Sequence, residues 1–262
     1  MFFKFTKKIV FVSLALSVVG CSTHSQQGMT QKSMSSETIT AKETLYESTQ
    51  NYSALISLYR DVLKAKEDPS IRYKLAKTYY QRGDSKSSLL YLTPLLNDNT
   101  KLATQAKILQ IKNLIQLNNF QEAISVANEL LLKSPNEGEV YNLRGIAYAQ
   151  NGNLVNARND INKAREFFIN DNVAINNLAM LNIINGDFNN AVSLLLPQYL
   201  NGVKNSRLIH NLVFALVKNG DLDYAKDIIV KERLNTSPDD LINALKKNYT
   251  CIKRCNSVTL RI

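Results

Sequence analysis

The chain has 262 residues, a formal net charge of +10 and a sequence pI near 9.4. It contains no tryptophan and two histidines, and only His210 lies beyond the polar N-terminal stretch, whereas nucleophile-and-base catalysis needs a positioned histidine or an equivalent group. With no glycine-rich phosphate loop, no HExxH and no CxxC in the sequence, neither an enzyme nor a cofactor or metal site is expected.

The chain opens MFFKFTKKIVFVSLALSVVGC, where Lys4, Lys7 and Lys8 precede an apolar run from Ile9 to Val19. That run is too short to span a bilayer and suits a signal peptide over residues 1–20. Val18-Val19-Gly20-Cys21 resembles a bacterial lipobox, which implies cleavage before Cys21 and acylation of its thiol. Ser22 in place of an aspartate resembles the pattern of lipoproteins sent on to the outer membrane, so the expected place is lipid-anchored on its periplasmic face. Removing the three signal lysines lowers the net charge from +10 to +7. For an exported chain nucleic acid is not the partner, and the basic balance points to anionic lipid or an acidic protein surface.

Residues 21–40 comprise Cys21 and a stretch, STHSQQGMTQKSMSSETIT, with almost nothing to bury. It reads as a disordered tether spanning roughly 25 Å, with His24 a solvated linker residue. Residues 41–68 read as a divergent helical half-repeat opening at the capping box Thr40-x-x-Glu43, and its Ala54 stands 34 residues before Ser88.

From 69 to 239 a pattern recurs five times. Turn residues Gly83, Asn118, Gly152, Gly186 and Gly220 follow one another at 35, 34, 34 and 34 residues, and a small residue five places later keeps step: Ser88, Ala123, Ala157, Ala191 and Ala225. Glycine after an apolar periodic run is a left-handed helix stop, so each unit reads as a helix, a tight turn and a returning helix. Gly145 lies two turns before Gly152, on the face where the returning helix presses, with Ala157 as its small partner at the crossing. Asp68-Pro69, Ser134-Pro135 with Glu137, and Ser237-Pro238 with Asp240 read as helix starts. Pro94 and Pro197 fall inside second helices and are expected to kink or stop them. Residues 240–262 read as a capping helix, from Asp239 to about Tyr249, and a tail. In that tail Cys251 and Cys255 are either a short disulfide or two free thiols.

Tyr141-x-x-Arg144-Gly145-x-x-Tyr148, followed by Ala157-x-x-x-Ile161 and Ala164, closely resembles the tetratricopeptide repeat, whose period is about 34 residues. Arg144 departs from the usual leucine and Ile161 from the usual aromatic. The resemblance implies an all-α fold, a right-handed superhelical solenoid of helix hairpins whose first helices line a concave peptide-binding face. Positions 2, 5, 9 and 12 of each unit, which the family points inward, would place Tyr73, Lys77, Tyr80, Ile108, Lys112, Ile115, Asn142, Ile146, Asn176, Met180, His210 and Phe214 on that face. Asn142 and Asn176, one repeat apart, would hold a peptide backbone through their side-chain amides, or else pack between repeats.

The whole layout of lipobox, polar tether, divergent first unit, four further units and tail looks like the tetratricopeptide lipoproteins of the tight-adherence (Flp) pilus system. That likeness implies protein partners in a pilus or secretion machine, with its secretin pore as a candidate, membrane contact only through the N-terminal lipid, and no small-molecule substrate. The alternative is an adaptor that docks cell-wall hydrolases or outer-membrane assembly factors.

Overall fold

The computed structural model describes residues 35–97 and 100–247. Cys21, most of the tether, Tyr249 and the pair Cys251 and Cys255 lie outside the described residues. The described chain is helical throughout: α1 (Ser36–Ser48), α2 (Tyr52–Ala65), α3 (Pro69–Gln81), α4 (Ser85–Leu92), α5 (Lys101–Gln116), α6 (Phe120–Lys133) and α7 (Gly138–Gln150). Then follow α8 (Leu154–Glu166), α9 (Asp171–Asn185), α10 (Phe188–Leu200), α11 (Ser206–Asn219), α12 (Leu222–Lys231) and α13 (Pro238–Lys247).

The turn residues do what their spacing requires. Gly83, Asn118, Gly152, Gly186 and Gly220 all have positive φ, between +61° and +95°. In each turn the next residue donates its N–H five residues back, as in Asn153 to the Tyr148 carbonyl at 2.8 Å, which closes the helix end and reverses the chain. The small residues sit where helices of one hairpin cross: Ser88, Ala123, Ala157, Ala191 and Ala225 are each 0 % exposed.

The N-terminal region departs from the half-repeat expected over 41–68. Gln50 adopts φ +51° and Asn51 donates to the Tyr46 carbonyl at 2.8 Å, so α1 and α2 form a complete sixth hairpin with the same turn. Its first helix begins at Ser36, capped by the Ser35 hydroxyl, which accepts from the Thr38 N–H at 3.2 Å; the last residues assigned to the tether are therefore helical. Its apolar pattern is thin: α1 has no fully buried residue, and beside the half-buried Tyr46 it is held by a polar contact. Tyr59 donates to Glu43 Oε1 at 2.6 Å, and Lys74 Nζ lies 2.6 Å from the same oxygen.

Two helix starts hold. Asp68 accepts from the N–H groups of Ser70 and Ile71 with Pro69 as first residue, and Ser237 precedes α13, its hydroxyl donating to Asp240. Ser134 does not open α7: it ends α6, and α7 starts at Gly138 with Glu137 before it. Gly138 is pressed so close to the end of α8 that an added Cβ would stand 2.6 Å from the Phe167 carbonyl oxygen, so the first residue of α7 has no room for a side chain. Pro94 ends α4 after eight residues in a 3-10 turn, Thr93–Leu95. Pro197 does not stop α10, which runs on to Leu200. That last turn is fastened by Tyr199, 5 % exposed, whose hydroxyl donates to Glu232 Oε1 at 2.7 Å.

Packing is between neighbours. Each helix packs on the next, and α3 touches α5, α5 touches α7, α7 touches α9, α9 touches α11 and α11 touches α13. No two second helices pack comparably. An array joined more closely along one edge must curve toward that edge, so first helices form its concave wall.

Candidate functional site: the concave wall of the helix array

On the concave wall the first two repeats supply tyrosine and lysine. Tyr73, Tyr80 and Ile108 are half-buried, Ile115 is buried and Lys77 is exposed. Lys112 Nζ is 2.6 Å from Glu139 Oε1, so this cation is already paired. Burial pushes the hydroxyls of Tyr73 and Tyr80 above the ordinary tyrosine range; Glu139 adds to the rise at Tyr73, and Arg207 opposes it at Tyr80.

The middle of the wall corrects the asparagine reading. Asn142 is 5 % exposed and its Oδ1 accepts from Asn177 Nδ2 at 2.8 Å. Asn176 Oδ1 accepts from Asn211 Nδ2 at 3.0 Å, one repeat further on. These amides therefore tie successive first helices together. Their carbonyls are engaged in stacking the array, and alanine at Asn142 removes an inter-repeat hydrogen bond. Asn113 makes a further tie between repeats, donating from α5 to the buried Ser88 hydroxyl on α4 at 2.9 Å.

Two open hollows lie along this wall. The larger, about 510 Å³, is lined by Asn142, Leu143, Ile146 and Asn177, by Glu137 to Glu139 at the start of α7, by Phe167 to Ile169, and by Val173 and Arg207. The smaller, about 270 Å³, lies among α9, α11 and α13, with Met180, Ile183, His210, Asn211, Val213, Phe214, Leu234, Leu241 and Leu245. Asn142 and Ile146 thus meet in the first hollow, and Met180, His210 and Phe214 in the second; Tyr73, Lys77, Tyr80, Ile108, Lys112 and Asn176 line neither. His210 is exposed, and its Nδ1 is 2.6 Å from the Ser206 carbonyl oxygen, which can only accept, so Nδ1 carries the hydrogen and Nε2 is left for a partner.

Glu139, Val173 and Arg207 are wall residues that the sequence reading passed over. All three occupy position 2 of their units, so the same inward-pointing rule contained the signal. The contribution of α13 was hidden because its Leu241 and Leu245 lie outside the repeat.

Among solved structures the chain is similar to a tetratricopeptide repeat protein from Parabacteroides merdae, at 15% identity over 83% of this chain and 96% of that one, with a TM-score of 0.60. It is also similar to a thermophilic tetratricopeptide protein of Thermus thermophilus, at 20% identity over 69% of this chain and 98% of that one, with a TM-score of 0.58. The fold is a right-handed tetratricopeptide solenoid. No protein-family model and no curated protein sequence matches the chain. At these identities the likeness gives the fold alone.

Proposed function

We propose that this solenoid is an outer-membrane-anchored lipoprotein of the TadD type, acting as a protein-interaction scaffold in the assembly of a tight-adherence (Flp) pilus and assisting its secretin pore as a pilotin does. The observation that carries the binding role is the concave wall itself, with two open hollows lined by both apolar and polar side chains, a mixture suited to an extended segment of another protein. The anchoring role rests on Val18-Val19-Gly20-Cys21 and the polar tether. No cofactor, nucleic acid or small-molecule substrate enters this reading, and the chain carries no catalysis in it.

The test uses the full chain in cells, at matched protein levels, with Lys77→Glu and His210→Glu, two exposed wall positions whose replacement opens no cavity. Both variants should lower secretin co-purification and pilus display while leaving the melting temperature unchanged. Undiminished capture and display in both would remove the wall from the contact, and absence of secretin from the wild-type capture would remove the pilus role.

A further inference from the structure

The turns after α8 and α10 are the same turn. Phe168 N–H donates to the Arg165 carbonyl at 3.1 Å and Ile169 N–H to that of Ala164 at 3.1 Å; 34 residues later Gly202 donates to Tyr199 at 3.1 Å and Val203 to Gln198 at 3.0 Å. Their middle residues have φ of +61° and +86°. Glycine adopts this left-handed conformation without steric cost, whereas a bulky side chain there is an outlier that local turn chemistry does not favour. The chain nevertheless places phenylalanine at 168, and the ring gains nothing from its own fold, being 95 % exposed. Strained residues of this kind gather at functional positions.

Phe168 stands on the rim of the larger hollow, whose apolar lining includes Leu143, Ile146, Phe167, Ile169 and Val173. A projecting aromatic and an apolar recess therefore lie side by side on one face. The ring edges the recess without filling it. Asn142 and Asn177, also in the lining, are bonded to each other at 2.8 Å, so a ring laid over them covers a polar pair that is already matched.

We infer that this face is self-complementary and docks a second copy of the chain about a two-fold axis, with Phe168 of each copy seated in the hollow of the other. A patch that carries both halves of a contact closes into a dimer and goes no further, because the two-fold axis uses each half once. The contact goes beyond the scaffold role: it occupies part of the concave wall and leaves the hollow at Met180 and Phe214 open.

The experiment is sedimentation equilibrium of the full chain in mild detergent across the micromolar range, with Phe168→Gly and Val173→Asp. The wild type should show a monomer–dimer equilibrium. Loss of a buried aromatic anchor should raise the dimer dissociation constant by about 30-fold or more in Phe168→Gly. The melting temperature of that variant should be unchanged or raised, since glycine suits the turn; Val173→Asp, on the rim, should dissociate the dimer as well. A wild type that stays monomeric throughout, or a Phe168→Gly dimer as tight as the wild type, overturns the inference. Monomeric wild type combined with loss of secretin capture in Phe168→Gly would assign the ring to a foreign partner, overturning self-association while leaving the scaffold role standing.

Discussion

At Gly145 a Cβ would stand 3.0 Å from Ile161 Cγ1 and 3.1 Å from the Ala157 carbonyl oxygen, so α8 leaves no room for a side chain. Gly145→Leu should therefore cost about 1–3 kcal/mol or more through overpacking, and leucine at exposed Asn159 on α8 should be nearly silent; equal melting temperatures would mean that the crossing is looser than these distances. This approach was legible because both partners, Gly145 and Ala157, stand in the repeat register. Gly138 is crowded even more closely, at 2.6 Å from the Phe167 carbonyl oxygen, but the register does not announce this contact because its neighbour comes from the far end of α8. Asn142 stayed open between two readings for a related reason: a polar side chain at an inward position has the same sequence signature whether it meets a ligand or the next repeat.

Glu43 shows how charge enters at this scale. Burial alone would raise its pKa, but hydrogen bonds from Lys74 and Tyr59, with the Lys74 charge, hold it below the ordinary glutamate value. A depressed carboxylate pKa contributes stability that is present above the unfolded pKa and lost as pH falls through the folded one. Lowering the pH from neutral to below the glutamate range should thus release α1 first, seen as faster amide exchange in α1 than in α7. Glu43→Gln should flatten that pH dependence; an unchanged profile in the variant would place the acid sensitivity elsewhere.

Between helices, the third repeat replaces an apolar contact with an ionic one. Arg144 donates to both carboxylate oxygens of Asp160 at 2.7 Å and to Asn128 Oδ1 at 2.7 Å, tying α6, α7 and α8. At the corresponding positions the next two repeats carry Leu178 with Leu194, and Leu212 with Ile228. The Asp160 side chain is only 9 % exposed, so Arg144→Leu leaves a nearly buried carboxylate without its cation and should cost about 3 kcal/mol. Arg144→Leu combined with Asp160→Leu should recover most of that loss, because well-packed apolar residues often match or exceed a buried ion pair. A double variant as unstable as the single one would show that the site cannot repack. The departure of Arg144 from the repeat pattern was visible in the sequence, but its partner, sixteen residues on in the returning helix, became apparent only when the hairpin placed them face to face.

Across the whole molecule, the five-unit register from 69 to 239 was legible because each hairpin must bury the same small residue at the same crossing. The sixth hairpin was not, because α1 is held by Glu43 rather than by an apolar stripe. The proposed anchor sets the chain's place in the cell. Cys21→Ser should abolish incorporation of radiolabelled palmitate and leave an uncleaved or soluble species. Label still entering the variant would overturn the lipobox reading.

First helices touch along the inner edge of the array, while second helices do not pack on one another comparably. Mechanically this is a strip sewn along one border. Opening its curvature must part first helices along the border where they touch, whereas the outer border, between second helices that do not pack comparably, is free to take up a change of length. Bending therefore pivots about the inner edge, and the spacing of residues along the concave wall is held more nearly constant than the spacing on the convex side.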